Sequence, residues 1–177
     1  MTTDDPLVDA RELRDMVDEQ AIRRLHAHYV DAVNRSAWSE FTDLFVPNAE
    51  LTVSRGEAQP DRVVGPKAIG DLIAAYIAKY DFLVQVILNA RIGLRWQDDV
   101  DAASARLFIA EFRQWTSTGR RMESAGVYHD RYTRVDGQWR FAQRRYDRLY
   151  ATSPRELEIY PFPSGGDVDD PFAKAAR

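Results

Sequence analysis

Near Phe82 the spacing of apolar residues along this 177-residue chain changes from between three and four to two. Helices and strands bury side chains at these two different periods, so the change divides the chain into a helical first part and a sheet-forming second part. The alternation predicts four long strands: Phe82 to Trp96, Ala102 to Thr116, Glu123 to Val135 and Trp139 to Tyr150. Asp136-Gly137, between the last two, is a two-residue hairpin signal, and the four strands are expected to form an antiparallel meander.

Before the change, Leu13, Val17, Ala21, Leu25, Ala32 and Val33 recur at three- and four-residue intervals and predict a helix from about Asp9 to Asn34. Asp9 with Glu12 can cap its start, and Asp18-Glu19-Gln20 reads as a second start, so a break is expected near Asp18. Ser36 is expected to cap a second helix, with Trp38, Phe41, Leu44 and Phe45 on one face and Pro47-Asn48 at its end. Ala49 to Val53 reads as a short strand and Ser54 to Val64 as a loop. Gly65-Pro66 then opens a third helix with Ile69, Leu72, Ile73, Tyr76 and Ile77 on one side. Helices followed by a run of strands give an α+β class, with the helices packed on one face of a curved sheet. Residues 1–150 read as one domain. Residues 151–177 hold four of the eight prolines and read as an extended arm with a disordered end.

With 45 % hydrophobic residues, a chain of this length can enclose both a core and an internal cavity. The net charge of −4 offers no general attraction for phosphate backbones, which argues against nucleic acid as a partner. Cysteine is absent, which excludes disulfides and a thiolate nucleophile. The acidic N-terminus has no signal-like apolar core, and no run is long enough to span a bilayer; a cytoplasmic protein with no membrane partner is expected. His26 and His28 stand two residues apart, on different sides of their helix, and His129 is isolated on its strand, so no metal site is expected. The glycines are scattered and make neither a phosphate loop nor a dinucleotide fingerprint, so no cofactor is expected.

The strings AIRRLHAHYVDAVNRSAWSEFTDLFVPNAEL, GPKAI and YHDRYTRVDGQWRFAQRRYDRLY, in that order over about Asp18 to Tyr150, resemble the SnoaL-like branch of the NTF2-like superfamily. The branch includes bile-acid dehydratases, with scytalone dehydratase and hexachlorocyclohexane dehydrochlorinase further off. The resemblance implies the NTF2-like, cystatin-like cone: three N-terminal helices on a strongly curved, mostly antiparallel sheet that encloses a pocket. It implies a small apolar cyclic ligand, polycyclic or aromatic, and cofactor-free lyase or isomerase chemistry. It also implies a His and an Asp acting as a base pair. At the matching positions this chain has Gln85 and Asn34, which keep hydrogen bonding but do not titrate near neutral pH.

By the same resemblance Tyr29, Glu111 and Arg148 are the candidate catalytic residues, with Asn34, Gln85 and Tyr128 as candidate substrate-binding residues. The residues alone leave alternatives open. Tyr29 also reads as a core tyrosine, Glu111 as an exposed carboxylate, and Arg144, Arg145 and Arg148 as a solvated or interfacial cluster of which one faces inward. Two further function classes stand beside the lyase: a ligand-binding protein that has lost the base pair, and the small subunit of a ring-hydroxylating oxygenase. Finally, the meander carries large apolar residues at both parities, as in Phe108 beside Ile109, so the helix-free face is expected to be covered. The proline-rich arm from Ser153 can cover part of it, but a patch that long marks a subunit interface, so self-association is expected, and the resemblance favours a trimer over a dimer.

Overall fold

The computed structural model describes residues 9–57, 59–152 and 157–159. Its first helix, α1 (Ala10–Arg35), begins where the Asp9 carboxylate accepts a hydrogen bond from the Arg11 N–H at 3.2 Å, satisfying a donor of the first turn. The helix runs unbroken through Asp18. That residue is an anchor: its carboxylate accepts from Arg134 at 2.6 Å and from Trp139 Nε1 at 3.1 Å.

The buried face of α1 also differs from the expected one. At 3.6 residues per turn each four-residue step overshoots by roughly 40°, so Leu13 and Leu25 stand about 120° apart. The helix buries Ile22, Leu25, His26, Tyr29, Ala32 and Val33, and leaves Leu13, Met16 and Val17 exposed. Ser36 closes α1 and does not open the next helix. Its backbone is left-handed (φ 58°), and its N–H reaches the carbonyls of Ala32 and Val33. One 3-10 turn (Trp38–Glu40) and one α turn, α2 (Phe41–Leu44), follow, burying Phe41 and Leu44.

The sheet comprises β1 (Phe45–Ser54), β2 (Asp61–Val64), β3 (Tyr80–Leu94), β4 (Ala102–Trp115), β5 (Arg121–Val135), β6 (Gln138–Thr152) and β7 (Leu157–Ile159), with α3 (Pro66–Ile77) between β2 and β3. The strand order is β2-β1-β6-β5-β4-β3, and β7 pairs with β6. The four expected strands do form an antiparallel meander, and Asp136 (φ 50°) and Gly137 (φ 75°) make the tight turn between β5 and β6. β2 lies within the stretch read as a loop. Four residues, Asp61 to Val64, are too few to show a period, and pairing with the edge of β1 makes them a strand. β6 extends to Thr152, past the expected boundary at Tyr150. Of the expected C-terminal arm, β7 folds back on β6, while 153–156 and 160–177 lie outside the described residues.

Register decides which side chains face the helices. Glu111 is opposite Gln85 on β3 and Ser124 on β5, and Tyr128 is opposite Leu107 and Tyr146. This face carries Leu107, Ile109, Tyr128, Tyr132 and Phe141. They join Ile22, Tyr29, Val33, Phe41, Leu44, Phe45, Leu51 and Ile69 in one core. The helices therefore close over one face of a curved, mostly antiparallel sheet, the α+β class that the period change implied and the cone that the resemblance implied.

Candidate functional site

A cavity of about 50 Å³ lies between that face and the helices. Apolar side chains of α1, β1 and α3 form most of its wall, including Val33, Leu51, Val53, Leu72 and Ile73. Its polar groups come one from each element: Tyr29 from α1, Gln85 from β3, Glu111 from β4, Tyr128 from β5 and Tyr146 from β6. Arg55 and Tyr76 complete the α3 side, where the Arg55 guanidinium lies 4.4 Å from the Tyr76 ring centroid. An engineered cavity of roughly 150 Å³ takes up one benzene ring. A cyclic ligand therefore enters this space only if side chains on the half-exposed α3 side give way.

Four of the six residues singled out in the sequence meet here: Tyr29, Gln85, Glu111 and Tyr128. Asn34 and Arg148 are not in the wall. Asn34 Nδ2 donates to the Gln85 carbonyl at 3.0 Å, and its Oδ1 accepts from the Gln85 N–H at 2.8 Å, so Asn34 ties the end of α1 to β3 through the backbone. Arg148 has the same parity as Tyr146, but its Nη1 donates to the Arg55 carbonyl at 3.1 Å, steadying the rim. Of the three arginines it is Arg144 that lies deep inside, 1 % exposed.

Glu111 is 9 % exposed. Its Oε1 accepts from Gln85 Nε2 at 3.0 Å and its Oε2 from the Ser124 hydroxyl at 3.1 Å, while the buried Arg113 guanidinium stands 3.6 Å away as its counter-charge. Arg113 in turn donates to Ser124 at 2.6 Å and to the Tyr76 hydroxyl. Because a carboxylate only accepts, Glu111 fixes which way the Gln85 amide points: nitrogen toward the acid, oxygen away. That oxygen, Gln85 Oε1, is buried and has no partner among the described residues. Buried acceptors are ordinarily satisfied, so this one is open to a donor on a ligand.

The floor rests on a second, fully buried group. Asp130 accepts two hydrogen bonds from Arg144, from Nε and Nη2, both at 2.9 Å, and one from the Tyr132 hydroxyl at 2.9 Å; Tyr132 meets His26 Nε2 at 2.6 Å. The Arg144 guanidinium lies 4.0 Å from the Tyr29 ring centroid and 3.9 Å from that of Tyr128, the cation–π arrangement. Burial pushes both phenols above their usual value, and Arg144 only partly offsets this for each. Tyr29 and Tyr128 therefore hold their protons and serve as hydrogen-bond donors. Burial also pushes Asp130 upward, opposed by Arg144, while Asp130 keeps the arginine charged.

Tyr146 needs a glycine. Its ring lies over Gly126 on the neighbouring strand, where an added Cβ would come within 2.2 Å of Tyr146 Cε2. Gly126→Ala is expected to force this ring out of the wall and to weaken ligand binding at least tenfold, measured by titration with a fluorescent apolar probe; unchanged affinity would show that Tyr146 is not needed.

Sequence reasoning missed Arg55, Tyr76, Tyr146 and Arg113. Tyr146 and Arg113 share strand faces with Arg144 and Glu111, which is a usable signal once those faces are known. Arg55 and Tyr76 reach the site only through the packing of α3 on β1.

Residues 14–145 match the SnoaL-like domain family. The chain belongs to this SnoaL-like family. Solved structures agree on the fold. A candidate scytalone dehydratase from Novosphingobium aromaticivorans DSM 12444 superposes with a TM-score of 0.69 at 20 % identity, covering 85 % of this chain and 97 % of that one. The hexachlorocyclohexane dehydrochlorinase LinA-type3 from Novosphingobium barchaimii LL02 gives 0.70 at 18 % identity, with 85 % and 99 % covered. An NTF2-like protein with a cystatin-like fold, from Novosphingobium aromaticivorans, gives 0.65 at 24 % identity, with 84 % and 92 % covered. At these identities the likeness is one of fold, and the SnoaL-like chain's own residues must carry any argument about chemistry. No helix of the described residues is long and apolar enough to cross a membrane.

Proposed function

We propose that this SnoaL-like protein binds a small, mostly apolar cyclic molecule and moves a proton on it without a cofactor, in lyase or isomerase fashion. The observation that carries the reading is the convergence of a carboxylate, an acceptor with no partner among the described residues and two protonated phenols on one apolar cavity. Glu111 is the general base. Its two oxygens have about four lone-pair sites, of which two accept hydrogen bonds from Gln85 and Ser124. Tyr29 and Tyr128 donate hydrogen bonds to the ligand oxygen on which negative charge develops. Gln85, at the position where the resemblance implies a histidine, holds Glu111 and orients the ligand.

A second reading, ligand binding without chemistry, has one observation in its favour: the counter-charge of Arg113 makes Glu111 a satisfied structural ion pair as it stands. Both readings give Tyr29 the same role at the ligand. Tyr29→Phe keeps the ring and removes one hydroxyl, so affinity for cyclohexanone, which has no double bond to move, is expected to fall by about 1 kcal/mol or more with little change in stability. Calorimetric titration with parallel thermal unfolding checks this. Unchanged binding with a clear loss of stability would return Tyr29 to the core.

A further inference from the structure

The Arg113 guanidinium joins two oxygens that come to the cavity from opposite sides. Its Nη1 donates to the Tyr76 hydroxyl on α3 and stands 3.6 Å from Glu111 Oε2 on β4. One ordinary hydrogen bond and 3.6 Å therefore separate the two oxygens, at most about 6.5 Å. A guanidinium only donates, so the Tyr76 oxygen is the acceptor in this bond and its own proton is left over. Tyr80 does not take that proton. Burial, and then its hydrogen bond with Tyr76, push the Tyr80 phenol above its usual value, so Tyr80 keeps its proton and meets Tyr76 as a second donor. Among the described residues none accepts from Tyr76, whose side chain lines the cavity. Arg113 is fixed in place: it is buried, and its Nη2 donates to Ser124 Oγ at 2.6 Å. The apolar side chains of α3 in the same wall, Leu72, Ile73 and Ile77, have no such tie and can yield to a ligand while Tyr76 stays.

We propose that Tyr76 is the proton donor of this site, working with Glu111 across Arg113. The inference rests on the reading of Glu111 as the base. Once Glu111 has taken a proton from the carbon between a carbonyl and a double bond, the ring is a dienolate. Its oxygen electrons restore the carbonyl, the enolate double bond moves to the conjugated position, and the electrons of the original double bond take the Tyr76 proton at the far carbon. The negative charge has then passed from Glu111 through the ligand to the Tyr76 oxygen, and Arg113 Nη1 faces it at both ends of the transfer. Glu111 releases its proton to water and Tyr76 regains one from water, so nothing is consumed.

In deuterated water the dienolate of cyclohex-3-enone has two fates that are measured separately. Return through Glu111 places deuterium on the carbon that lost the proton, followed by magnetic resonance. Delivery by Tyr76 gives the conjugated isomer, followed by ultraviolet absorbance. With the rates in buffer subtracted, Tyr76→Phe is expected to slow conjugation about a hundredfold while exchange persists. Should that variant not fold, Tyr76→3-fluorotyrosine, a stronger acid that keeps the bond to Arg113, is expected to raise the ratio of conjugation to exchange. An unchanged ratio would overturn the proposal, and both reactions falling together in Tyr76→Phe would make Tyr76 a support for Glu111. The base is tested apart from the donor. Loss of both reactions in Glu111→Gln upholds Glu111 whichever way the Tyr76 variants fall, and neither reaction exceeding buffer in the natural protein would contradict both assignments.

Discussion

Lowering the pH from about 6.5 toward 4 is expected to cost this protein roughly 1.4 kcal/mol of stability per unit through one residue, His26. Burial lowers its pKa to about 3, with the Arg144 and Arg23 charges adding to the effect. An unfolded histidine titrates near 6.5. Between those values the unfolded chain binds the extra proton and the folded chain does not, so stability is full above about 6.5 and drains away as the pH falls. Over the whole window the loss is of the order of 5 kcal/mol. His129, also lowered by burial, acts in the same direction, while Asp130, raised by burial, acts oppositely at pH values between the unfolded carboxylate's 3.8 and its own higher folded value. His26→Asn isolates the contribution, since it keeps a polar partner for Tyr132 and removes the titration. Urea unfolding at pH 7, 6 and 5 is expected to show a steeper decline for the natural protein than for the variant. Parallel declines would show that His26 takes up its proton in the folded state.

Breaking the buried ion pair is expected to have a comparable effect at neutral pH. Asp130→Asn leaves the Arg144 charge, 1 % exposed, without its carboxylate, and the loss of one partner of such a pair costs about 3–5 kcal/mol. For a chain of this size that lowers the melting temperature by about 6–20 °C. Replacing both, as in Asp130→Leu with Arg144→Met, removes the uncompensated charge and is expected to recover much of the stability. Ligand binding should not recover with it, because Arg144 stacks on Tyr29 and Tyr128 and holds the rings that form the floor. Thermal unfolding of the single and double variants decides the point. A single variant as stable as the natural chain would mean that the pair contributes nothing.

The fold was legible because its evidence is local. The change of period at Phe82, the Asp136-Gly137 turn and the Gly65-Pro66 helix start each act within a few residues, and each sets an element's type or boundary. α1 was harder: the drift of a four-residue spacing hides which of Leu13 and Leu25 is buried, and Asp18 looks like a helix start until Arg134 and Trp139 are brought to it by the sheet. The site was legible only in part. Tyr29, Gln85, Glu111 and Tyr128 were singled out through the resemblance, because alternation alone left Glu111 open to either face of its strand and helical period left Tyr29 open to the core. Arg144 was one of three clustered arginines, of which the resemblance favoured Arg148, until register set Arg144 opposite Asp130. Asn34 was singled out because the resemblance implies a catalytic Asp at its position, and its partner, the Gln85 backbone, is a tertiary contact that no spacing reveals.

The claim that Glu111 moves a proton on a bound ring is tested most directly with cyclohex-3-enone. Glu111 takes a proton from the carbon between the carbonyl and the double bond, the double bond shifts toward the carbonyl, and the proton returns at the far end to give the conjugated isomer, with no other reactant. The rate of conjugation, followed by ultraviolet absorbance, is expected to exceed that in buffer alone for the natural protein, and to fall about 10²–10⁴-fold in Glu111→Gln. No acceleration by the natural protein, or an equal rate in Glu111→Gln, would contradict the assignment.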